Sequence, residues 1–180
     1  MKELQNIRSQ SESTGSMSLT DEGIKAVMKE WDTKEWKKGM NEKTSLRIYR
    51  QWRTEIGGQE KIYDNRQGSE ILFKCRTNTL KLKDRNRFRN EETKCEMCGS
   101  EREDLKHFIL WCPAYSEERQ KNTTLQQPYQ EKDDDIIGGL LFGNNIEQTK
   151  ETIQKFWKLR ETKMKKTVTR RSDKACNKIR

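Results

Sequence analysis

A single histidine, His107, stands among 180 residues. That scarcity leaves little room for histidine-based acid–base chemistry, and no other acid–base pair stands out, so a catalytic role is not expected. Apolar residues are scarce too: they make up 30% of the chain against 37% charged, and the mean hydropathy is −1.22. This favours a small core reinforced by a metal over a large compact enzyme core, with polar, disorder-prone ends. No run approaches the roughly 18–20 apolar residues that span a bilayer, and the first thirty residues lack an apolar signal segment. The expected setting is intracellular, nucleus or cytoplasm, with no membrane partner. Five cysteines are an odd number for a disulfide framework, and Cys75 and Cys176 are expected to be free thiols.

The other three cysteines sit with the histidine. Cys95, Cys98, His107 and Cys112 follow the spacing Cys-x2-Cys-x8-His-x4-Cys. Three thiols and one imidazole are the ligand set of a closed, tetrahedral structural zinc site, with no position left for a reacting water. Zn2+ is therefore the expected cofactor. Gly99 follows Cys98 where such a turn often needs a positive φ. Ser100 and Glu103 have the spacing of a capping box, ahead of the apolar Leu105, Phe108, Ile109 and Trp111, so His107 is expected inside a short helix starting near Glu101. Residues five apart on an ideal helix point about 140° apart. The helix should therefore end at Trp111 or Cys112, before Pro113, letting the last thiolate swing back. The centre would carry a formal negative charge, which Lys94 and Lys106 are placed to offset.

The net charge of +9 is unevenly spread. Residues 66–94 and 155–180 are strongly basic and flank an acidic stretch over 95–154, an asymmetry that suggests a polyanionic partner. Lys81, Lys83, Arg85, Arg87 and Arg89 occupy alternate positions. An extended backbone would put all five on one side; a helix would scatter them. Both conformations stay open, as do phosphate contact and a solvated loop. The tail holds Lys163, Lys165, Lys166, Arg170 and Arg171, read as a nucleic-acid clamp, an import signal or a soluble end. Trp111, beside a ligand, is either a stacking platform for a base or part of the knuckle's own core.

The fold class expected is mostly α: one or more small helical domains built around a CCHC zinc knuckle. The divisions are a flexible 1–18, a helical 19–92 ending in the basic segment, the knuckle at 93–120, and a helical 121–180 with a basic tail. Thr20 is a candidate N-cap for a helix whose Ile24, Val27, Met28 and Trp31 form an apolar face, with Trp31 and Trp36 read as core in preference to a nucleic-acid stacking pair. A second helix should run from Thr44 or Ser45 to Gly57-Gly58, and a third from Ser69 to Arg76. A short one covers Tyr115 to Lys121, followed by a loop at 126–128. Asp133, Asp134 and Asp135 are expected to cap a helix and complement its dipole rather than bind a metal. The last helix should start near Asn144 or Asn145 and run past Val168, with Ile146, Ile153, Phe156, Trp157, Met164 and Val168 as its buried or partner-facing stripe.

With these residues in place, a family resemblance emerges. Phe73-Lys74-Cys75-Arg76-Thr77-Asn78-Thr79-Leu80, Asp84-Arg85, the Cys/His frame, Glu103 to Tyr115 and Arg119 together resemble the zinc-binding C-terminal region of reverse transcriptases from non-LTR (LINE-like) retrotransposons. Ser45 to Tyr49 and Leu140 to Gly143 read like further segments of that region, so the likeness covers residues 40–160. It implies Cys95, Cys98, His107 and Cys112 as ligands and a non-catalytic role in binding RNA or single-stranded DNA. The polymerase body of a parent polyprotein is an implied partner. Asn78 stands where many relatives carry glycine. Tyr63-Asp64-Asn65 is no Tyr-x-Asp-Asp polymerase signature. The alternative is a protein-interaction module, docking through the acidic segment and the C-terminal amphipathic helix.

Overall fold

The computed structural model describes residues 20–57, 60, 62–64, 66–122, 125 and 132–176, with side chains as far as residue 166. The expected flexible stretch 1–18, Gly58, the loop at 126–128 and the side chains of Val168 and Cys176 lie outside these. Two compact units form, Met1–Gly39 and Met40–Arg180. The fold is mostly α, and no strand occurs among the described residues.

The first unit contributes most of helix α1, Asp21–Asn41. Thr20 caps it as expected, its Oγ1 accepting the Gly23 N–H at 3.2 Å. The core reading of its aromatics does not hold: Trp31 is 53% exposed, with Ile24, Val27 and Met28 exposed beside it, while Trp36 is half-buried. Among the described residues 20–39 there is no second element to cover this face, and a helix alone cannot bury its own stripe.

The second unit holds one continuous core. A 3-10 turn at Thr44–Leu46 leads into α2, Arg47–Trp52. This helix stops well short of the expected glycines, because Arg53 turns to an extended conformation. Helix α3, Gln67–Arg76, follows, then a 3-10 turn at Lys83–Arg89 and a π turn at His107–Trp111. Another 3-10 turn at Pro113–Tyr115 runs into α4, Ser116–Gln120. Helices α5, Asp133–Phe142, and α6, Ile146–Cys176, complete the unit. The α6 stripe forms as expected, but it faces inward: Ile153 and Phe156 are fully buried in the chain's own core. Phe156 stacks on Tyr115 at 4.7 Å between ring centroids and meets Phe108 edge-on at 5.9 Å. Cys95 and Cys112 belong to this same cluster. Cys75 is a buried free thiol, and burial pushes its pKa up.

Two loop-and-helix junctions explain the rest. Helix α3 ends in a Schellman motif: the Thr79 N–H donates to Lys74 O at 2.7 Å and the Asn78 N–H to Cys75 O at 3.0 Å. Asn78 sits at φ +50°, the left-handed conformation that glycine takes most readily and asparagine tolerates. The aspartates do not cap α5 with their side chains; Lys132 occupies the cap position. They complement the dipole from the first turn instead. Asp134 pairs with Arg47 and, at 3.4 Å, with Lys106, and these cations hold its carboxyl below the usual carboxylate range, Arg47 through a hydrogen bond being the largest cause.

Candidate metal centre and basic groove

The knuckle begins with a turn closed from both ends. The Cys95 N–H donates to Ser100 O at 2.8 Å and the Gly99 N–H to Cys95 O at 2.8 Å. Gly99 adopts φ +79°, so the glycine is required there. The second pair of donors rises from the other strand of the loop, but not by the expected capping box. Asp104, not Ser100, caps the turn, its Oδ1 accepting the His107 N–H at 2.8 Å. Glu103 is only 1% exposed and points its carboxylate at Arg160 instead.

The spacing problem between His107 and Cys112 is solved by the backbone. Residues 107–111 wind as a π turn, and the Cys112 N–H donates to His107 O at 2.7 Å. A π turn closes in i→i+5 bonds, which brings residues five apart into one register where an α-helix would not. Cys112 then leaves the helical region at ψ 116°, ahead of Pro113. Both devices aim its sulfur at the other donors.

The four ligand atoms all lie within 4.8 Å of one another. Cys98 Sγ is 3.3 Å from His107 Nε2, and Cys95 Sγ is 3.9 Å from Cys112 Sγ. Donors around a tetrahedral ion with Zn–S near 2.3 Å and Zn–N near 2.0–2.1 Å stand about 3.8 Å (S···S) and about 3.5 Å (S···N) apart. The separations fit, and 3.9 Å is far too long for a disulfide. This Cys3His group could therefore hold a metal ion. Cys95 and Cys112 are buried and Cys98 is exposed. A hydrogen bond from the Cys112 thiol, opposed by burial and reinforced by the amides of Cys98 and Met97, lowers the Cys95 pKa from the ordinary thiol value. Cys112 is raised in turn by Cys95 and by burial.

The site is tied to the core by α6. Arg160 donates to Glu103 through Nε at 2.7 Å and a terminal nitrogen at 2.8 Å. Glu103 Oε1 also lies 3.9 Å from Cys95 Sγ, and its Oε2 accepts the Lys83 N–H at 2.9 Å. Lys163 Nζ donates to Met97 O at 2.7 Å, and Arg119 donates to Cys112 O. Burial works against the Arg160 charge, but Glu103, by hydrogen bond and by charge, and then the charges of Tyr115 and Cys95 raise its pKa above the ordinary value. Arg160 is therefore one cation near the sulfurs, reaching Cys95 through the shared Glu103 carboxylate. Lys106, expected to serve there, pairs with Asp133 and Asp134 instead.

The basic residues do not form one stripe. Residues 83–89 wind as a 3-10 turn, and at three residues per turn alternate side chains point in three directions. What gathers several of them is a groove of about 920 Å³ between this turn and α6. Lys81, Lys83, Arg85 and Arg89 line it, with Lys165 from the far wall. Lys83 also pairs with Glu96 at 3.1 Å. Arg87 faces a second groove of about 420 Å³, where Arg47, Arg102 and Lys106 mix with Asp84 and Asp134. Trp111 is exposed rather than packed in the core and lines neither groove. Lys166 is exposed on α6. The side chains of Arg170 and Arg171 lie outside the described residues. Reading the sequence missed Glu103 and Arg160 as a pair, and Phe88, which lines both grooves. Only Phe88 left a signal: one aromatic inside a run of cations.

Comparisons with protein-family models, curated proteins and solved structures find no match for this chain. No helix among the described residues is long and apolar enough to cross a membrane.

Proposed function

We propose that this chain is a zinc-stapled, non-catalytic nucleic-acid-binding segment. The observation that carries the reading is the groove between the 83–89 turn and α6, where Lys81, Lys83, Arg85 and Arg89 meet Lys165. A cluster of cations drawn from separate segments neutralises phosphates and releases their counterions. Zinc is the metal that three thiolates and an imidazole at tetrahedral spacing favour. Its part would be to fix the fold; it would supply no open position for chemistry. The Cys/His frame and the Arg76-Thr77-Asn78 element carry the resemblance on which descent from the C-terminal region of a LINE-like reverse transcriptase is proposed. Asn78 holds the conformation glycine would take at that place. The partner would be RNA or single-stranded DNA, with a polymerase body as the second partner.

The test is a salt series on zinc-loaded protein with a labelled single-stranded oligonucleotide. Binding should weaken with a log–log slope of about −0.7 per phosphate neutralised, and Arg85→Glu with Arg89→Glu should flatten that slope. Salt-insensitive binding, or none, overturns the reading. One observation favours a second one: the exposed apolar face of α1, from Ile24 to Trp31, suits a protein partner. Such docking would strengthen or hold as salt rises. Through α6 it has less to offer, because Ile153 and Phe156 are already buried.

A further inference from the structure

Phe88 is 80% exposed, more than any other large apolar side chain among the described residues. Leaving a phenylalanine in water forgoes about 1.5–3 kcal/mol of burial, so its position calls for a reason. The ring stands on a turn fixed at both ends. Glu103 receives the Lys83 N–H through its carboxylate and the Asp84 N–H through its carbonyl, at 2.9 and 3.1 Å. Past the ring, Asn90 takes φ +54°. The Glu91 N–H bonds Asn86 O at 3.2 Å, and Asn86 Nδ2 bonds Glu92 O at 3.1 Å. The platform is therefore preorganised. Arg87 places its guanidinium carbon 4.7 Å from the ring centroid, and Phe88 lines both grooves. Arg85 lines both grooves as well, so the ring and a cation stand together where the two share a lining.

We propose that Phe88 stacks on an unpaired base while Arg85, Arg89 and Lys165 hold the flanking phosphates, which makes the occupant a single strand rather than a duplex. This rests on the nucleic-acid reading above and adds its specificity. Inside a duplex the base faces are already stacked, and freeing one for a ring costs unstacking energy that an unpaired base does not pay.

The experiment measures anisotropy with zinc-loaded full-length protein and three probes: short oligouridylate, short oligothymidylate and a blunt DNA duplex. The variants are Phe88→Ala, Phe88→Tyr and Phe88→Leu; at this exposure none should disturb folding. Stacking on one base is worth roughly 1–3 kcal/mol, so Phe88→Ala should weaken single-strand binding about 5- to 150-fold. Phe88→Tyr should retain it, Phe88→Leu should not, and duplex binding and the salt slope should stay put. Unchanged single-strand affinity in Phe88→Ala overturns the stacking role. Full rescue by leucine, or equal loss on the duplex, also overturns it. If in those cases Arg85→Glu with Arg89→Glu still abolishes binding, the groove reading survives. Wild-type protein that binds no probe overturns both.

Discussion

Arg160 and Glu103 meet in a buried two-point ion pair, 2.7 and 2.8 Å, that joins helix α6 to the loop between the metal ligands. The same carboxylate reaches the Lys83 amide and lies beside Cys95 Sγ. One residue thus couples three parts: the metal centre, the turn that carries the basic groove, and the long helix.

Breaking that pair from either side should be severe. Removing one partner of a buried pair leaves the other charge uncompensated, a loss of about 3–5 kcal/mol. Arg160→Met and Glu103→Gln should each lower the unfolding free energy of metal-loaded protein by that order, read from urea denaturation. Their effects should be far from additive, because both delete the same interaction. A double variant as unstable as the sum of the singles would mean that the two side chains act independently.

Metal removal should unfold more than a loop. Cys95 and Cys112 lie in the same core as Phe108, Tyr115 and Phe156, and metal binding free energy becomes folding free energy where the ligands are shared with a core. A strong chelator should therefore reduce helicity and loosen the aromatic cluster together, read by far- and near-ultraviolet circular dichroism. Cys98→Ser should lower the bound metal well below one per chain. Full metal content in that variant would remove Cys98 from the ligand set.

These relationships also show what a sequence can and cannot disclose. The Cys/His spacing was legible because ligand chemistry restricts residue type and order locally. Helix α3 and the start of α6 were legible because apolar periodicity is local too; the third helix expected from Ser69 begins at Gln67. Glu103 was not. Its spacing from Ser100 imitates a capping box, and its real partner lies 57 residues away. The π turn was hidden for a related reason: the offset from His107 to Cys112 signals a problem, while its solution depends on where the other sulfurs stand. The conformation of 83–89 is likewise set from outside, by hydrogen bonds to Glu103.

The end of α3 offers a test at a single torsion. Asn78 holds φ +50°, a region that costs an ordinary L-residue roughly 1 kcal/mol or more and glycine little. Asn78→Gly should be neutral or slightly stabilising. Asn78→Ala should lose about 1 kcal/mol in chemical denaturation, and Asn78→Val more, since a β-branched side chain tolerates that region least. Equal stabilities across the series would show that the turn relaxes to another conformation.

Adjacent glycines in α5 should respond in opposite directions. A Cβ on Gly138 would fall 1.8 Å from Trp52 Nε1, whereas one on Gly139 would meet only Trp52 at 3.9 Å, an ordinary contact. Trp52 lies nearly parallel to Phe142, with ring centroids 6.3 Å apart and 11° between planes, so moving the indole away from Gly138 sacrifices that packing. Gly138→Ala should therefore destabilise by about 1–3 kcal/mol, the usual range for overpacking. Gly139→Ala should stabilise by about 0.5–1 kcal/mol, because alanine is the better helix former in an interior turn. Urea denaturation of both variants, with metal bound, reads the sign directly. If Gly138→Ala were as stable as Gly139→Ala, the indole would not be held against α5, and the packing of α2 on α5 would be looser than the rings indicate.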